Sequence, residues 1–202
     1  MTTAKDLFTI ALEPRPERSV GQGDLSLSLA GAELVDLLHA EAISLDGDVI
    51  VPGPRSDLDD RLLGAAASAL VRQVPYESVE DWLWRRGRDL AAAYQAAFEE
   101  DGLLTRARRG RLNLGAERME LVDTPTRRHA QSRWQEDEPV LRALAAAIGI
   151  HPDERPHDDV GSHGEAVTTV LAAVNDAVME LEAVRQRRSI ENAAYANVWR
   201  AP

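Results

Sequence analysis

The residues with the strongest chemical character in this chain are arginines. Residues 84–133 hold eleven of them (85, 86, 88, 106, 108, 109, 111, 118, 127, 128 and 133) against seven acids, although the chain as a whole carries a formal net charge of −11. A guanidinium group is planar, permanently charged and able to grip a phosphate through two parallel hydrogen bonds, so this stretch is suited to an anionic ligand. Arg85, Arg86 and Arg88 follow Trp82 and Trp84. An indole at a membrane interface beside phosphate-binding guanidinium groups is one reading; a core tryptophan beneath a solvated arginine face is the other. Arg106, Arg108, Arg109 and Arg111 form either a phosphate-facing loop or a charged sheet edge that blocks aggregation.

Other chemistry is thinly supported. His151, His157, Asp158, Asp159 and His163 are metal-ligand types in one polar loop, but their spacing matches no zinc pattern and a solvated loop is the ordinary reading. Asp59-Asp60 and Glu136-Asp137-Glu138 are paired acids of the kind used for general acid and base work, yet acids beside helix starts are favoured by the macrodipole alone. His39 beside a leucine face is assigned no role. The chain contains no phosphate-binding glycine loop of either common pattern, no G-x-S-x-G elbow and no H-E-x-x-H; Gly21-Gln22-Gly23 is an isolated pair.

The overall charge disfavours generic binding to nucleic acid or to anionic bilayers, since the whole-molecule field repels both and only a local patch can meet an anionic partner. There is no cysteine, which removes disulfides, thiolate metal sites and a cysteine nucleophile, and fits a reducing cytoplasm. Residues 1–15 lack a signal-peptide core, and no apolar run approaches about 18 residues, so neither export by that route nor a membrane span is expected.

The elements that must position these residues read as mainly helical. Aromatics are 4% and hydrophobic residues 44%, so the core is built from Leu, Ile, Val and Ala, which suits closely packed helices. A short apolar element at 6–12 precedes a loop at 13–23. Residues 24–40 mix a strand-like alternation (Leu25, Leu27, Leu29) with helical spacing (Leu27, Leu34, Leu38) and are expected to form a helix. Residues 43–51 form a hairpin about Asp46-Gly47. Ser56 with Asp59 is expected to cap the next helix, whose apolar face is Leu58, Leu62, Ala66 and Ala69. Ser78 opens a helix with the stripe Val79, Leu83, Leu90, Tyr94, Phe98, which Gly87 divides and Gly102 ends. Residues 103–122 form a second hairpin about Gly115, with helices at 126–134 and 139–148 and a polar loop at 151–161. Ser162 and Glu165 precede the most regular amphipathic stripe, Val167 to Val184. No repeat or composition shift divides the chain: residues 1–188 are expected to be one domain and 189–202 a tail that frays or docks through Tyr195 and Trp199.

Several strings, taken in order, resemble the Golgi phosphoprotein 3 family in its bacterial form. They are Leu27-Ser28-Leu29-Ala30-Gly31-Ala32-Glu33-Leu34, Ile43-Ser44-Leu45, Ser78-Val79-Glu80-Asp81-Trp82 and Glu99-Glu100-Asp101-Gly102-Leu103-Leu104. The resemblance covers residues 5–150, and the helix at 165–185 matches the family's last one. It implies a single helical domain with two β-hairpins, no catalysis, no cofactor, and, as in the family's eukaryotic members, a peripheral membrane protein that binds phosphatidylinositol 4-phosphate and adapts cargo enzymes. One head-group arginine of the family falls on Arg88; the others fall on Ala91 and Ala30, and its pocket tryptophan falls near Gly21. Two functions follow as expectations. The first is a non-catalytic cytoplasmic adaptor, peripheral on the inner face of the membrane, meeting anionic lipid or a phosphorylated ligand through Arg85, Arg86, Arg88, Arg106, Arg108, Arg109 and Arg111. The second is a protein-interaction module of the same fold that has lost lipid binding and self-associates through a hairpin or the Trp199 tail.

Overall fold

The computed structural model describes residues 2–14, 20–54, 58–107, 118–151 and 164–198, and among them side chains except at 106, 107, 118 and 193–198. Eight helices and two strand pairs follow in the order α1 (Thr3–Leu12), α2 (Gln22–His39), β1 (Ile43–Asp46), β2 (Val49–Pro52), α3 (Arg61–Ser68), α4 (Val79–Arg86), α5 (Leu90–Glu100), β3 (Leu104–Ala107), β4 (Arg118–Leu121), α6 (Pro125–Gln135), α7 (Pro139–Ala147) and α8 (Glu165–Val198). The fold is mainly α with two antiparallel hairpins.

α2 is the centre. Every residue from 25 to 37 is buried, because α1, α3, α4, α5, α7 and α8 all pack on it. A helix apolar on all sides belongs inside, which explains why its sequence shows no clean single stripe. Its polar groups are each given a partner: Ser28 Oγ donates to the Leu144 carbonyl at 3.0 Å, and Ser26 Oγ accepts from the Ala91 N–H at 3.0 Å. Gly31 lets α8 approach, since a Cβ there would lie 2.2 Å from Val174 Cγ2.

The helix starts follow capping chemistry. Ser78 accepts from the Asp81 N–H (3.0 Å), Thr124 from Arg127 and Glu138 from Leu141, the last two ahead of Pro125 and Pro139. α3 corrects the sequence reading. Its cap is Asp60, which accepts from the Leu62 and Leu63 N–H groups at 3.0 and 3.1 Å and pairs with Lys5 at 2.6 Å; Ser56 lies outside the described residues. The carboxylate satisfies two helix donors and a lysine at once, which fixes the start there.

β1 and β2 pair Asp46 with Val49, so the turn residues are Gly47 and Asp48, one position later than the sequence suggested, with Gly47 at φ +63°. β3 and β4 pair Arg106 with Met119; the expected turn about Gly115 falls outside the described residues. α4 and α5 are separated at Gly87, as its position in the stripe predicts. A Cβ at Gly87 would come 2.4 Å from the Leu83 carbonyl and 3.3 Å from that of Ser26, so this turn lies directly on α2. Phe8 of α1 packs edge-on to Phe98 (4.8 Å) and tilted to Tyr94 (5.8 Å), which fixes α5 over α1.

α8 buries Val167, Val170, Val174 and Ala177, then continues as helix to Val198, through the region expected as a tail. The described side chains from 186 to 192 are all exposed. No helix among the described residues is long and apolar enough to cross a membrane.

Candidate functional site: an arginine-rich turn and hairpin

The arginine patch divides sharply once partners are assigned. Arg86 stands in the last turn of α4, where cations suit the helix dipole. Its Nε and Nη2 donate to Glu33 Oε2 and Oε1 at 2.8 and 2.9 Å, a bidentate pair. The Glu33 side chain has no solvent exposure, and Tyr94 donates its hydroxyl to Oε1 at 3.2 Å. Burial pushes the Glu33 carboxyl above its ordinary range, with Arg86 and Tyr94 pulling it back. Burial also works against charge on Arg86, but the hydrogen bonds and charge of Glu33 outweigh it and hold the guanidinium above its usual value. Tyr94 is raised well above 10.0 by burial and then by the Glu33 charge. This triad joins α2, α4 and α5.

Arg85 is also occupied. It reaches both oxygens of Glu77 (2.7 Å at the closest) and the Ala69 carbonyl (3.1 Å), and its guanidinium lies 5.3 Å from the Trp82 ring centre. Trp82 itself is fully buried and donates Nε1–H to the Ala30 carbonyl at 3.0 Å, so it is core. Trp84 is half-buried against α8 in a groove of about 200 Å³ rimmed by Asp48, Glu80, Asp176 and Glu180. An acidic rim of that kind does not attract a phosphate.

Arg88 differs from both. It sits in the turn between α4 and α5, exposed, with no ionic partner among the described residues. Its neighbour Asp89 takes a left-handed conformation (φ 56°), which helps turn the chain there. Arg106 lies on β3, and its side chain is not described; Arg108, Arg109 and Arg111 lie outside the described residues, in the connection between β3 and β4. Of the remaining arginines, Arg127 grips Glu13 (2.8 and 2.9 Å), Arg128 pairs with Asp123 and Arg133 pairs with Asp6 and Glu138. Ala91 and Ala30, where the resemblance places family arginines, are buried at 2% and 0% exposure. Near Gly21 stands a different cation, Arg185 of α8, bonded to Asp24 at 2.7 Å.

Sequence reasoning missed three buried acids. Glu33 is one. Asp36 accepts from the Thr3 and Ala4 N–H groups at 2.8 and 3.0 Å and so caps α1 from α2. Asp6 is fully buried, 2.6 Å from Arg133 and 3.8 Å from His129 Nε2. Burial raises both carboxyls, opposed by N–H groups at Asp36 and chiefly by Arg133 at Asp6. The signal available was position: acids inside an otherwise apolar helix must carry partners.

Most of the paired acids have structural partners, and Asp59 is exposed. Asp60 and Glu138 are caps, Asp137 pairs with Arg142, and Glu136 accepts from Ser132 at 2.7 Å. His39 is exposed and lines a cleft of about 460 Å³ with Thr3, His129 and Arg133. His151 is exposed; His157, Asp158, Asp159 and His163 lie outside the described residues, and no cluster able to hold a metal occurs among the described ones.

Among curated protein sequences none matches the chain. A family model described as Golgi phosphoprotein 3 (GPP34) matches residues 4–186, which takes in α1, both hairpins and α8 as far as its last packed turn. On a match of that extent, carried by a helical body with two hairpins in the expected order, the chain belongs to the Golgi phosphoprotein 3 family.

Proposed function

We propose that the protein is a non-catalytic adaptor that meets an anionic membrane surface through Arg88 and the hairpin arginines Arg106, Arg108, Arg109 and Arg111. The observation that carries this reading is the exposed guanidinium at 88, without an ionic partner among the described residues, in a neighbourhood where Arg85 and Arg86 are held by carboxylates. Family membership supports it. Arg88 precedes α5 and the hairpin follows it, a helix of about 16 Å. Cations at the two ends of such a helix suit a flat surface carrying many phosphates better than one enclosed head group. With buried alanines at 30 and 91, tight selection of a single phosphoinositide loses its charge-assisted bonds, each of which contributes about 1.5–3 kcal/mol.

The test is co-sedimentation with vesicles of phosphatidylcholine alone, with added phosphatidylserine, and with added phosphatidylinositol 4-phosphate, at low and physiological salt. Binding is expected to rise with anionic content, to weaken as salt screens it, and to fall in Arg88→Glu and in a hairpin variant with Arg106, Arg108, Arg109 and Arg111 changed to Ser. No binding to either anionic vesicle at low salt overturns the proposal, as does binding that both variants retain. Arg86→Glu is unsuitable as a probe, since it sets two carboxylates together in the core.

A second reading, a module for protein contacts, is favoured by the exposed outer face of α8, which lipid binding does not use.

A further inference from the structure

The last helix leaves its own domain. α8 packs through Val167, Val170, Val174 and Ala177, its last ionic tie to the body among the described residues is the Arg185–Asp24 pair, and the family match ends at 186. Helix continues to Val198 all the same. The extension continues a packed helix, so its nucleation is already supplied, and its described side chains past 185 are exposed, which leaves it able to lie against another surface.

The face of α8 opposite its packed side is suited to that role. The exposed large apolar side chains among the described residues are Val71, Val74, Met179 and Ile190, and two of them stand on α8, Met179 at 56% and Ile190 at 69% exposure. At 3.6 residues per turn these two lie within about 20° of each other, on one line that also carries Ala172, Ala183 and Gln186, all exposed. The line steps by alternating intervals of four and three, from 179 to 183, 186 and 190. Forward, the same steps reach Ala193 and Asn197; backward, they reach Asp176 and Ala172. This is a coiled-coil seam on the outside of a globular domain.

Its occupant is specified by its own symmetry. When two such helices run antiparallel about a two-fold axis passing between Ala183 and Gln186, Met179 of one copy meets Ile190 of the other, and Ala183 meets Gln186. The same operation sets Glu180 beside Arg187 of the second copy, twice. Glu180 and Arg187 are exposed and lack ionic partners among the described residues. A surface that turns its own apolar and charged groups into complements of themselves fits a second copy of this chain. The domains fall on opposite sides of the seam, because each packs on the far face of its α8. We infer that the chain forms an antiparallel homodimer through α8, in which each extension lies along residues 172–183 of the other copy. This stands independently of lipid binding.

Sedimentation velocity and light scattering on the full chain, from roughly 1 to 100 µM, test it. A dimer is expected, and the Met179→Lys, Ile190→Lys double variant is expected to be monomeric with unchanged helical circular dichroism, since both side chains already face solvent. Glu180→Arg alone and Arg187→Glu alone should each weaken dimerisation roughly tenfold, two attractive contacts becoming repulsive in each; both together should restore it. The chain has no cysteine, so mixing a Met179→Cys chain with an Ile190→Cys chain reads the register directly. A disulfide is expected in the mixture but not within either variant alone, because like positions sit about 16 Å apart in the antiparallel pair. A monomer at 100 µM overturns the inference. So does a dimer that survives the lysine variant, a charge exchange that fails to rescue, or a disulfide formed by the Ile190→Cys chain alone.

Discussion

Arg86→Ala removes the cation from a carboxylate that has no contact with solvent. Glu33 then keeps one hydrogen bond, from Tyr94, where it had three. Breaking a buried pair by deleting one member costs about 3–5 kcal/mol, a large part of the roughly 5–15 kcal/mol that holds a typical domain together. For a chain of this size that is a fall in Tm of roughly 6–20 °C. The loss depends on pH. The folded-state pKa of Glu33 is already raised by burial, so its protonated form is favoured in the fold and its contribution is greatest below the unfolded carboxyl range, declining as pH rises through the folded value. Removing Arg86 raises that folded value further. The variant is therefore expected to be closest to the parent near pH 5 and to fall away by pH 8. Urea titration followed by tryptophan fluorescence at both pH values measures this, and Glu33→Gln added to Arg86→Ala should remove most of the pH dependence and recover part of the stability, because the carboxamide oxygen still accepts from Tyr94. A loss below about 1 kcal/mol at pH 8, or a pH dependence that survives Glu33→Gln, refutes the assignment of the triad as the joint between α2, α4 and α5.

Asp60→Ala removes a helix cap and a lysine pair together, and should cost about 1–2 kcal/mol at pH 7. Burial opposes the charge of Asp60, but Lys5 and the two helix N–H groups outweigh it and hold the carboxyl below its usual range; the difference from the parent is thus fully present above the unfolded value and shrinks as pH falls through the folded one, which acid titration of both proteins reads. Gly31→Ala gains helix propensity but drives a methyl into Val174, so a net loss of about 1–3 kcal/mol is expected by thermal melting, with the sign reversed when Val174 is already alanine.

What could be read from the amino acids, and what could not, divides by range. Ser78, Gly87, Gly102 and the paired Pro125 and Pro139 are local signals, and each marks an element boundary where capping and glycine chemistry place it. The apolar order of the strings in α2, β1, α4 and α5 carried the family and with it the fold. The α3 start was misplaced because Asp60 reads in sequence as half of an acid pair and not as a cap, and Lys5, which pairs with it, belongs to another helix. The arginine patch was visible as composition, but its use was not. Arg86 meets an acid 53 residues away and Arg127 one 114 residues away, and nothing in the spacing announces either. The length of α8 was hidden for a related reason: the stripe that packs on the body stops before its end, where the described side chains are exposed.

The burial of α2 also sets a timetable. α2 emerges early from the ribosome, yet Arg185, which closes over its first turn, follows Asp24 by 161 residues. At about 5–20 residues per second, α2 waits roughly 8–32 s for the helix that covers it. Through that interval the Gly31 side of α2, destined for Val174, stays uncovered, while α1, α3, α4, α5 and α7 can close over its other faces as they emerge. The nascent chain is thus a client for any factor that holds apolar helices, and it is released from that need when α8 arrives.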